Sequence, residues 1–596
     1  MLFTNKSSDR PKPSRCAPDR DSIPTLESLG VELHPDAAKY VEDSEALANA
    51  IGGKTLKDVF ANPLVVAAAF STCMGGLLFG FDQGILSIVL TMPQFLSQFP
   101  DVDTDASSSA AFNKGIMTAL LELGALIGAF QAGFVADRFS RKKAIALGSL
   151  WFIIGSIIQT ASFSFAQLVV GRFIGGLGVG LLSAVAPMYI SEVAPPNIRG
   201  ACLALEGATI VIGIVVMFYI TYGTRHIPGD WSFRLPFLIQ MVPCIFLGIG
   251  LYKLPYSPRW LAQVGRDTES LASLVRLRRL PATDPRVQAE WIAIRAEAIH
   301  NREVIVKAHP NIQGDDLVSE IKLEIAGWVD MFKPNLIRRT SIGMFLMLFQ
   351  QCMGVNALIY YSPTLFEQLG LDYEMQLDMS GVLNISQMVA TIIAFLILDR
   401  VGRRPPILFG SIACVICHTI VAVLMGLYSK DWTSHSSASW ACVAFIIIFM
   451  FVYGVGWSPI PWAMPAEVHT SSRRAKGVAI TTCTCWLFNF IIGLITPPML
   501  QNIGYGTFIF FGTFALLSGI WAWFFCPETN GKTLEQMDEV FHSNTAHQDL
   551  LDKSEIQAAV MGMTTTPKRN SGIFNQPGDK LGEKDIQQEW VENVSV

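Results

Sequence analysis

Charge is scarce in this chain. Only 16% of its 596 residues are Asp, Glu, Lys or Arg, against 51% hydrophobic, and the mean hydropathy is +0.40. Soluble domains carry about 25% charged residues, so a string of them is excluded and a polytopic membrane protein is expected. The net charge of −5 says little about partners, and nothing in it points to nucleic acid. A signal peptide is also missing: Met1 to Ala50 is polar and has no apolar core of that length, so the first span is expected to serve as its own insertion signal. No nucleophile, metal cluster or phosphate loop is present, and the Gly-rich stretch from Gly171 to Gly180 lies inside an apolar run, where close helix packing explains it. An enzyme is therefore not expected, nor a cofactor. The eleven cysteines do not form a disulfide framework. Most sit in apolar runs, and the Cys414/Cys417 and Cys483/Cys485 pairs read as small hydrophobes.

What the sequence does have is apolar runs of about 20 residues, the length that crosses ~30 Å of hydrocarbon at 1.5 Å per residue. Twelve are expected, near 64–88, 116–136, 144–164, 166–190, 201–223, 234–254, 340–365, 378–398, 405–428, 440–465, 476–501 and 506–526. They divide the chain into an N-terminal tail (1–61), a six-helix half (62–254), a polar helical linker (255–339), a second six-helix half (340–528) and a C-terminal tail (529–596). The linker holds amphipathic pieces from Glu269 to Leu280 and Asp284 to His300. Lys and Arg stay on the cytoplasmic side. Arg138, Arg141, Lys142 and Lys143 follow run two, Arg400, Arg403 and Arg404 follow run eight, and Arg473, Arg474 and Lys476 follow run ten. The intervening loops are acidic or nearly neutral, as at Asp101 to Asp105 and Asp372 to Asp378. Both tails and the linker are thus expected in the cytoplasm. The sequons at Asn5 and Asn593 then lie on the wrong side for glycosylation, and the one at Asn384 falls within a span.

The chain repeats itself. Asp137-Arg138-x-x-Arg141 after run two returns as Asp399-Arg400-x-x-Arg403 after run eight, and Glu192 with Arg199 seven residues on returns as Glu467 with Arg474. Two six-span halves in parallel repeat form a substrate site between them near mid-membrane, with access alternated by rocking. The basic residues alone could be topology signals, but positive-inside sorting needs no acid, so Glu192 and Glu467 are expected to be ion-pair partners of the arginines.

Within the first run, Gly75 to Gly84 places a carboxylate, Asp82, in hydrocarbon, at a cost of roughly 2.5 to 3.5 kcal/mol on the insertion scale. By the helical rise Asp82 lies roughly 5 to 9 Å below the outer boundary, and Arg172 on run four, running the other way, about 9 Å below it. The matching depth makes Arg172 the expected partner, either as a static structural pair or as a proton switch. In the switch, separation of the pair lets Asp82 take up a proton from outside.

These motifs resemble the sugar porter branch of the major facilitator superfamily across about residues 62 to 535. The resemblance rests on Gly75 to Gly84, Gly133 to Lys143, Gly171-Arg172-Phe173-Ile174-Gly175-Gly176, Pro187 to Gly200, Pro255 to Leu261, Gln350-Gln351-x-x-Gly354-Val355-Asn356, Asp399 to Arg404, and Pro527 to Gly531. Tyr222 to Arg225, Trp231 to Pro236 and Leu277 to Pro281 look most like fungal hexose transporters. Departures are Ser140 for the usual glycine, Tyr256 for a glutamate, Asn530 for a lysine, Gly207 for a common glutamine, with Glu206 beside it, and Gln387 near a frequent asparagine. The resemblance implies an all-α membrane protein of twelve transmembrane helices in two parallel six-helix halves. It also implies that the cytoplasmic charges Asp137, Arg138, Arg141, Glu192, Arg199, Asp399, Arg400, Arg403, Glu467 and Arg474 latch the halves together when the site faces outward.

Gln350, Gln351 and Asn356 on run seven and Asn489 on run eleven could simply glue helices. Alternatively they supply the donors and acceptors that a neutral polyhydroxylated ring needs, with Trp462 stacking on its apolar face. The resemblance assigns these five to sugar contacts. Facilitators resembling this chain usually carry a neutral residue at the Asp82 position, which favours symport of sugar and proton. The expected protein is thus a plasma-membrane monosaccharide:proton symporter, with a passive uniporter and a non-transporting sugar sensor as alternatives. The tail from His542 to Val596, short and polar, disfavours the sensor.

Overall fold

The computed structural model describes residues 23–51, 63–103, 107, 109–312, 316–470, 472–530, 534–541 and 545–563. The sequons at Asn5 and Asn593, Asp105 of the Asp101 to Asp105 cluster and most of the C-terminal tail lie outside them. The described residues form helices and no β-strand. Twelve of the helical stretches are long and apolar enough to cross a bilayer. Spans 1 to 6 are Leu64–Val89, Ala110–Phe139, Arg141–Thr160, Phe165–Val193, Asn197–Thr224 and Trp231–Lys253. Spans 7 to 12 are Ile337–Gln368, Tyr373–Val401, Arg404–Tyr428, Ser436–Val468, Arg474–Ile503 and Gly506–Phe525.

Each expected run falls on one of these helices, which mostly extend past it because helical hydrogen bonding does not stop where hydrocarbon does. Spans 6 and 12 end one residue short, and span 3 falls shortest: it ends at Thr160, and by Ser164, whose hydroxyl accepts the Gln167 amide, the chain has turned to cap span 4.

Hydropathy gave no warning of the breaks in spans 7 and 10, nor of the interruption at Gln240 between the helices Trp231–Ile239 and Met241–Lys253 of span 6. Span 7 is a helix Ile337–Cys352 and a helix Val355–Gln368, joined at Gly354, whose φ of +89° suits glycine. Span 10 breaks between Gly456 and Ile460, where Pro459 and Pro461 follow in quick succession. The imidazole of His418 on span 9, fully buried, hydrogen-bonds the Met353 carbonyl freed at the first break (3.1 Å) and packs on Phe449.

Within the first half, span 2 crosses span 4 and span 1 crosses span 5 at backbone contact. A Cβ on Gly124 would meet the Phe173 carbonyl and Gly176, and one on Gly176 would meet the Leu121 carbonyl. Small residues are what permit such approach where lipid offers no hydrophobic drive. Span 11 runs against span 2 and span 8 against span 5, so these two seams join the first six spans to the last six.

The linker forms four helices, Pro258–Gln263, Asp267–Arg278, Pro285–Ala308 and Leu317–Asp330. The first three enclose a separate apolar core around the fully buried Trp291, with Leu271, Leu274 and Ile292, while the fourth lies against span 11. The sequence treated the tails as independent of the linker. Their described parts instead complete its core: Ile23 and Leu26 enter from one end of the chain, Ile556 and Val560 from the other. Gln288 is hydrogen-bonded to the backbone of Glu32 and His34 at 2.8 Å each.

Candidate functional site

Asp82 and Arg172 meet. The guanidinium donates to both carboxylate oxygens at 3.3 and 3.2 Å, and the two side chains are 1% and 0% exposed. Glycines set the depth. Gly80 and Gly84 press span 1 onto the backbone of span 5, and Gly171, Gly175 and Gly176 do the same for span 4 against spans 2 and 3. Removing one partner of such a buried pair strands the other charge at a cost of about 3 to 5 kcal/mol.

A second acid stands beside this pair. Glu122 on span 2, fully buried, accepts the Tyr360 hydroxyl at 2.7 Å, and the same phenol oxygen accepts from Gln83, the neighbour of Asp82, at 3.1 Å. Sequence reasoning passed over Glu122, although the signal was the one that singled out Asp82: an acid in an apolar run, Leu120-Leu121-Glu122-Leu123. Spans 1 and 2 are tied through this contact to the second helix of span 7, Val355–Gln368.

The expected sugar residues come together only in part. Gln350 donates to the Trp457 and Ser458 carbonyls at 2.9 and 3.2 Å, satisfying the break in span 10, while its own carbonyl oxygen has no partner among the described residues. Asn356 donates to Gln351 at 2.6 Å across the break in span 7, and Gln351 donates to the Cys485 sulfur at 3.1 Å. Asn489, buried one turn from Cys485, also has an unpartnered carbonyl oxygen. Trp462 differs from these buried amides in being 39% exposed, on the short helix after the span 10 break. The fully buried tryptophan at the seam is Trp486, whose ring meets Phe79 of span 1 at 5.1 Å and donates to Ser183 of span 4. Span 8 adds Asn384, both of whose amide atoms lack partners, and Gln387, whose carbonyl oxygen does. The sequence had marked Asn384 only as an unusable sequon.

At the basic-loop end the repeat becomes two matching clusters. Arg141 binds Asp137 at 2.7 Å and both oxygens of Glu192 at 3.0 and 3.1 Å, and Arg403 binds Asp399 at 3.1 Å and Glu467 at 2.9 Å. This corrects the expected partners, which were Arg199 for Glu192 and Arg474 for Glu467. Spacing of seven pairs residues only along one continuous helix, and the chain leaves the helix at Ala194 and again at His469. Each cluster therefore closes within its own half.

Contacts between halves at this end run through the linker instead. Arg138 pairs with Glu320 and Lys476 with Glu324, both on the helix Leu317–Asp330. Glu297 is bound by Arg259 at 2.5 Å and attracts Arg199 from one half and Arg474 from the other. Arg400 is exposed. Burial works against the Asp330 carboxylate, yet Lys333 at 2.7 Å, His309 at 2.9 Å and Arg473 at 3.3 Å hold its pKa below the ordinary range. Glu528 is likewise lowered against its burial, by the backbone N–H groups of Arg403, Arg404 and Asn530. Burial pushes His469 down to about 4.

The chain matches the family described as Sugar (and other) transporter over residues 68–541. A glucose transporter of the major facilitator superfamily from Aspergillus flavus is 32% identical over 79% of this chain and 88% of its own length. A high-affinity glucose transporter from Kluyveromyces lactis is 30% identical, covering 80% of this chain and 85% of its own. Among solved structures, the proton:xylose symporter XylE bound to 6-bromo-6-deoxy-D-glucose aligns with a TM-score of 0.64 at 23% identity, over 80% of this chain and 99% of that one. That likeness is one of fold: twelve spans in the major facilitator arrangement.

Proposed function

The chain belongs to the Sugar (and other) transporter family, and from that membership we propose that it is a proton-coupled symporter importing a neutral monosaccharide, glucose or a related hexose or pentose, by alternating access. The observation that carries the reading is the buried pair of Asp82 and Arg172. A transporter needs no intramembrane carboxylate to hold a neutral sugar, and a pair this costly to break suits a switch whose opening is driven by a proton. A proton arriving from outside neutralises Asp82, frees Arg172 and lets spans 1 and 4 shift against the sugar site.

The glucose transporters among the relatives support a hexose, and the fold shared with a proton:xylose symporter supports coupling. Gln350, Gln351, Asn356 and Asn489, joined by Asn384 and Gln387, offer unpartnered or shared amides to the hydroxyls, and Trp462 an aromatic face. In this reading the halves are residues 62–254 and 340–528; the charge of the loops supports a cytoplasmic linker and cytoplasmic tails, and the glucose-transporter relatives support a plasma-membrane location. One proton per sugar draws on roughly 2.3 kcal/mol per 100 mV of membrane potential, about a fifty-fold concentration ratio.

The test is uptake of labelled glucose and xylose in a transporter-deficient host while external pH is recorded. Wild type accumulates sugar and alkalinises the medium. Asp82→Asn loses both and continues to exchange sugar. Accumulation by Asp82→Asn removes the switch from the mechanism, and wild-type uptake without alkalinisation makes the protein a uniporter.

A further inference from the structure

The coupling site holds one cation and two acids. Asp82 of span 1, Glu122 of span 2 and Arg172 of span 4 are all buried, and Asp82 and Arg172 both lie within electrostatic reach of Glu122. With both carboxylates ionised the cluster carries a net negative charge in a low-dielectric interior, which costs several kcal/mol. It is neutral only when one proton sits on one of the two acids.

Two polar atoms in the cluster have no hydrogen-bond partner among the described residues: Oε2 of Glu122, an acceptor, and Nε of Arg172, a donor. The crossing of spans 2 and 4 at Gly124 and Gly176 sets the backbone of 121–124 against that of 173–176, so Glu122 and Arg172 are carried by adjoining stretches of the two helices.

We propose that Glu122 is a second coupling carboxylate, the alternative partner of Arg172, so that the guanidinium passes between Asp82 and Glu122 as protonation passes the other way. This rests on the symport reading of the Asp82 pair. Its two neutral states are Arg172 on ionised Asp82 with Glu122 protonated, and Arg172 on ionised Glu122 with Asp82 protonated. Only O–H bonds are made and broken: Asp82 gains a proton from the outside, Glu122 gives one up, and the cluster stays neutral.

The exchange reaches the second half through Tyr360. Its hydroxyl is held by Glu122 and Gln83 at once, and it belongs to the second helix of span 7. When Glu122 ionises and takes the guanidinium on Oε2, its Oε1 accepts the Tyr360 hydroxyl more strongly, and when Glu122 is protonated that hold weakens, so the exchange sets how tightly that helix is tied to spans 1 and 2. Besides Asp82 and Arg172, the titratable groups facing Glu122 are Tyr360 and Tyr361 of span 7 and Cys485 of span 11.

The test uses purified full-length protein in liposomes, with exchange of labelled D-glucose or D-xylose measured without a gradient for wild type, Asp82→Asn, Glu122→Gln and the double variant. Either acid alone can hold Arg172, so each single variant continues to exchange, and Glu122→Gln needs external pH at least one unit more acid than wild type. The double variant strands the guanidinium and exchanges at least ten-fold more slowly than the slower single. Double-variant exchange as fast as Asp82→Asn, or a Glu122→Gln profile that overlays wild type, overturns the proposal. Should the double variant not assemble, Arg172→Gln is added to it: recovered assembly identifies the stranded cation as the cause, and no recovery counts against the proposal. Wild type that fails to accumulate sugar under an imposed pH gradient refutes symport itself, and the exchange arms still decide whether Glu122 partners Arg172.

Discussion

His469 lies in the loop between spans 10 and 11 with none of its surface exposed. Its Nδ1 donates to the Pro465 carbonyl at 2.7 Å, which fixes the neutral tautomer and leaves Nε2 bare. That nitrogen faces Gly477, and no acceptor waits for a second proton among the described residues. Burial lowers its pKa from 6.5 to about 4. In the unfolded loop the ring protonates near its ordinary value, so between those two values the open form binds more protons than the closed one, and closure weakens as pH falls through that window. From pH 7.5 to 5.0 the loss is about 1.5 pH units of linkage, or ~2 kcal/mol, which is about a thirty-fold rise in local opening.

Amide hydrogen exchange of residues 469–477, corrected for the intrinsic pH dependence of exchange, reads this directly. Wild type opens about thirty-fold more often at pH 5.0 than at 7.5. In His469→Gln, which keeps a neutral amide near the Pro465 carbonyl, the rise falls to a few-fold at most. Parallel profiles for the two proteins would show that the ring is not buried neutral and that the linkage argument fails. Asp330 and Glu528 run to the opposite side. Their pKa values lie below the ordinary 3.8 and 4.5, so what they contribute is in place above those values and is lost only as pH falls through the lower folded ones.

Two further outcomes follow from the packing and the amides. Trp291→Ala empties the linker core, at a cost of about 3 to 5 kcal/mol, and limited proteolysis is expected to cut the linker and the segments 23–51 and 545–563 while the twelve spans stay intact. If those three regions are cut independently of one another, they do not share a core. Asn384→Ala and Gln387→Ala each remove a buried amide whose polar atoms await a partner, and each raises the sugar KM about five- to a hundred-fold if that partner is a sugar hydroxyl. An unchanged KM assigns these amides to helix packing.

The twelve spans were readable because each is an apolar run of bilayer length, a property of composition that needs no tertiary context. Asp82 and Arg172 were readable for the same reason: a charge inside such a run stands out, and depth follows from the helical rise. The breaks at Gly354 and Pro459 were hidden because a kink flanked by apolar residues leaves the run apolar. The partners of Glu192 and Glu467 were misread because a spacing of seven assumes one helix, whereas each acid sits at a helix end and finds the arginine of a neighbouring span. Glu122 was legible by the same rule, an acid inside the apolar run of span 2. No local pattern could have placed Ile23 against Ile556, since only the folded linker brings them together.

That shared linker core bears on how the chain is made. His34 and Gln288 are joined across 254 positions, and the core around Trp291 is closed by Ile556 and Val560 after the twelfth span has been threaded. A nascent chain that has inserted all its spans still shows an open apolar surface on its linker until the last described helix emerges. Contacts so distant along the chain form slowly, and the exposed surface meanwhile is what chaperones and proteases recognise. Completion of the linker is thus a checkpoint on synthesis: a chain truncated before residue 545 would carry every span and still display the mark of an unfinished protein.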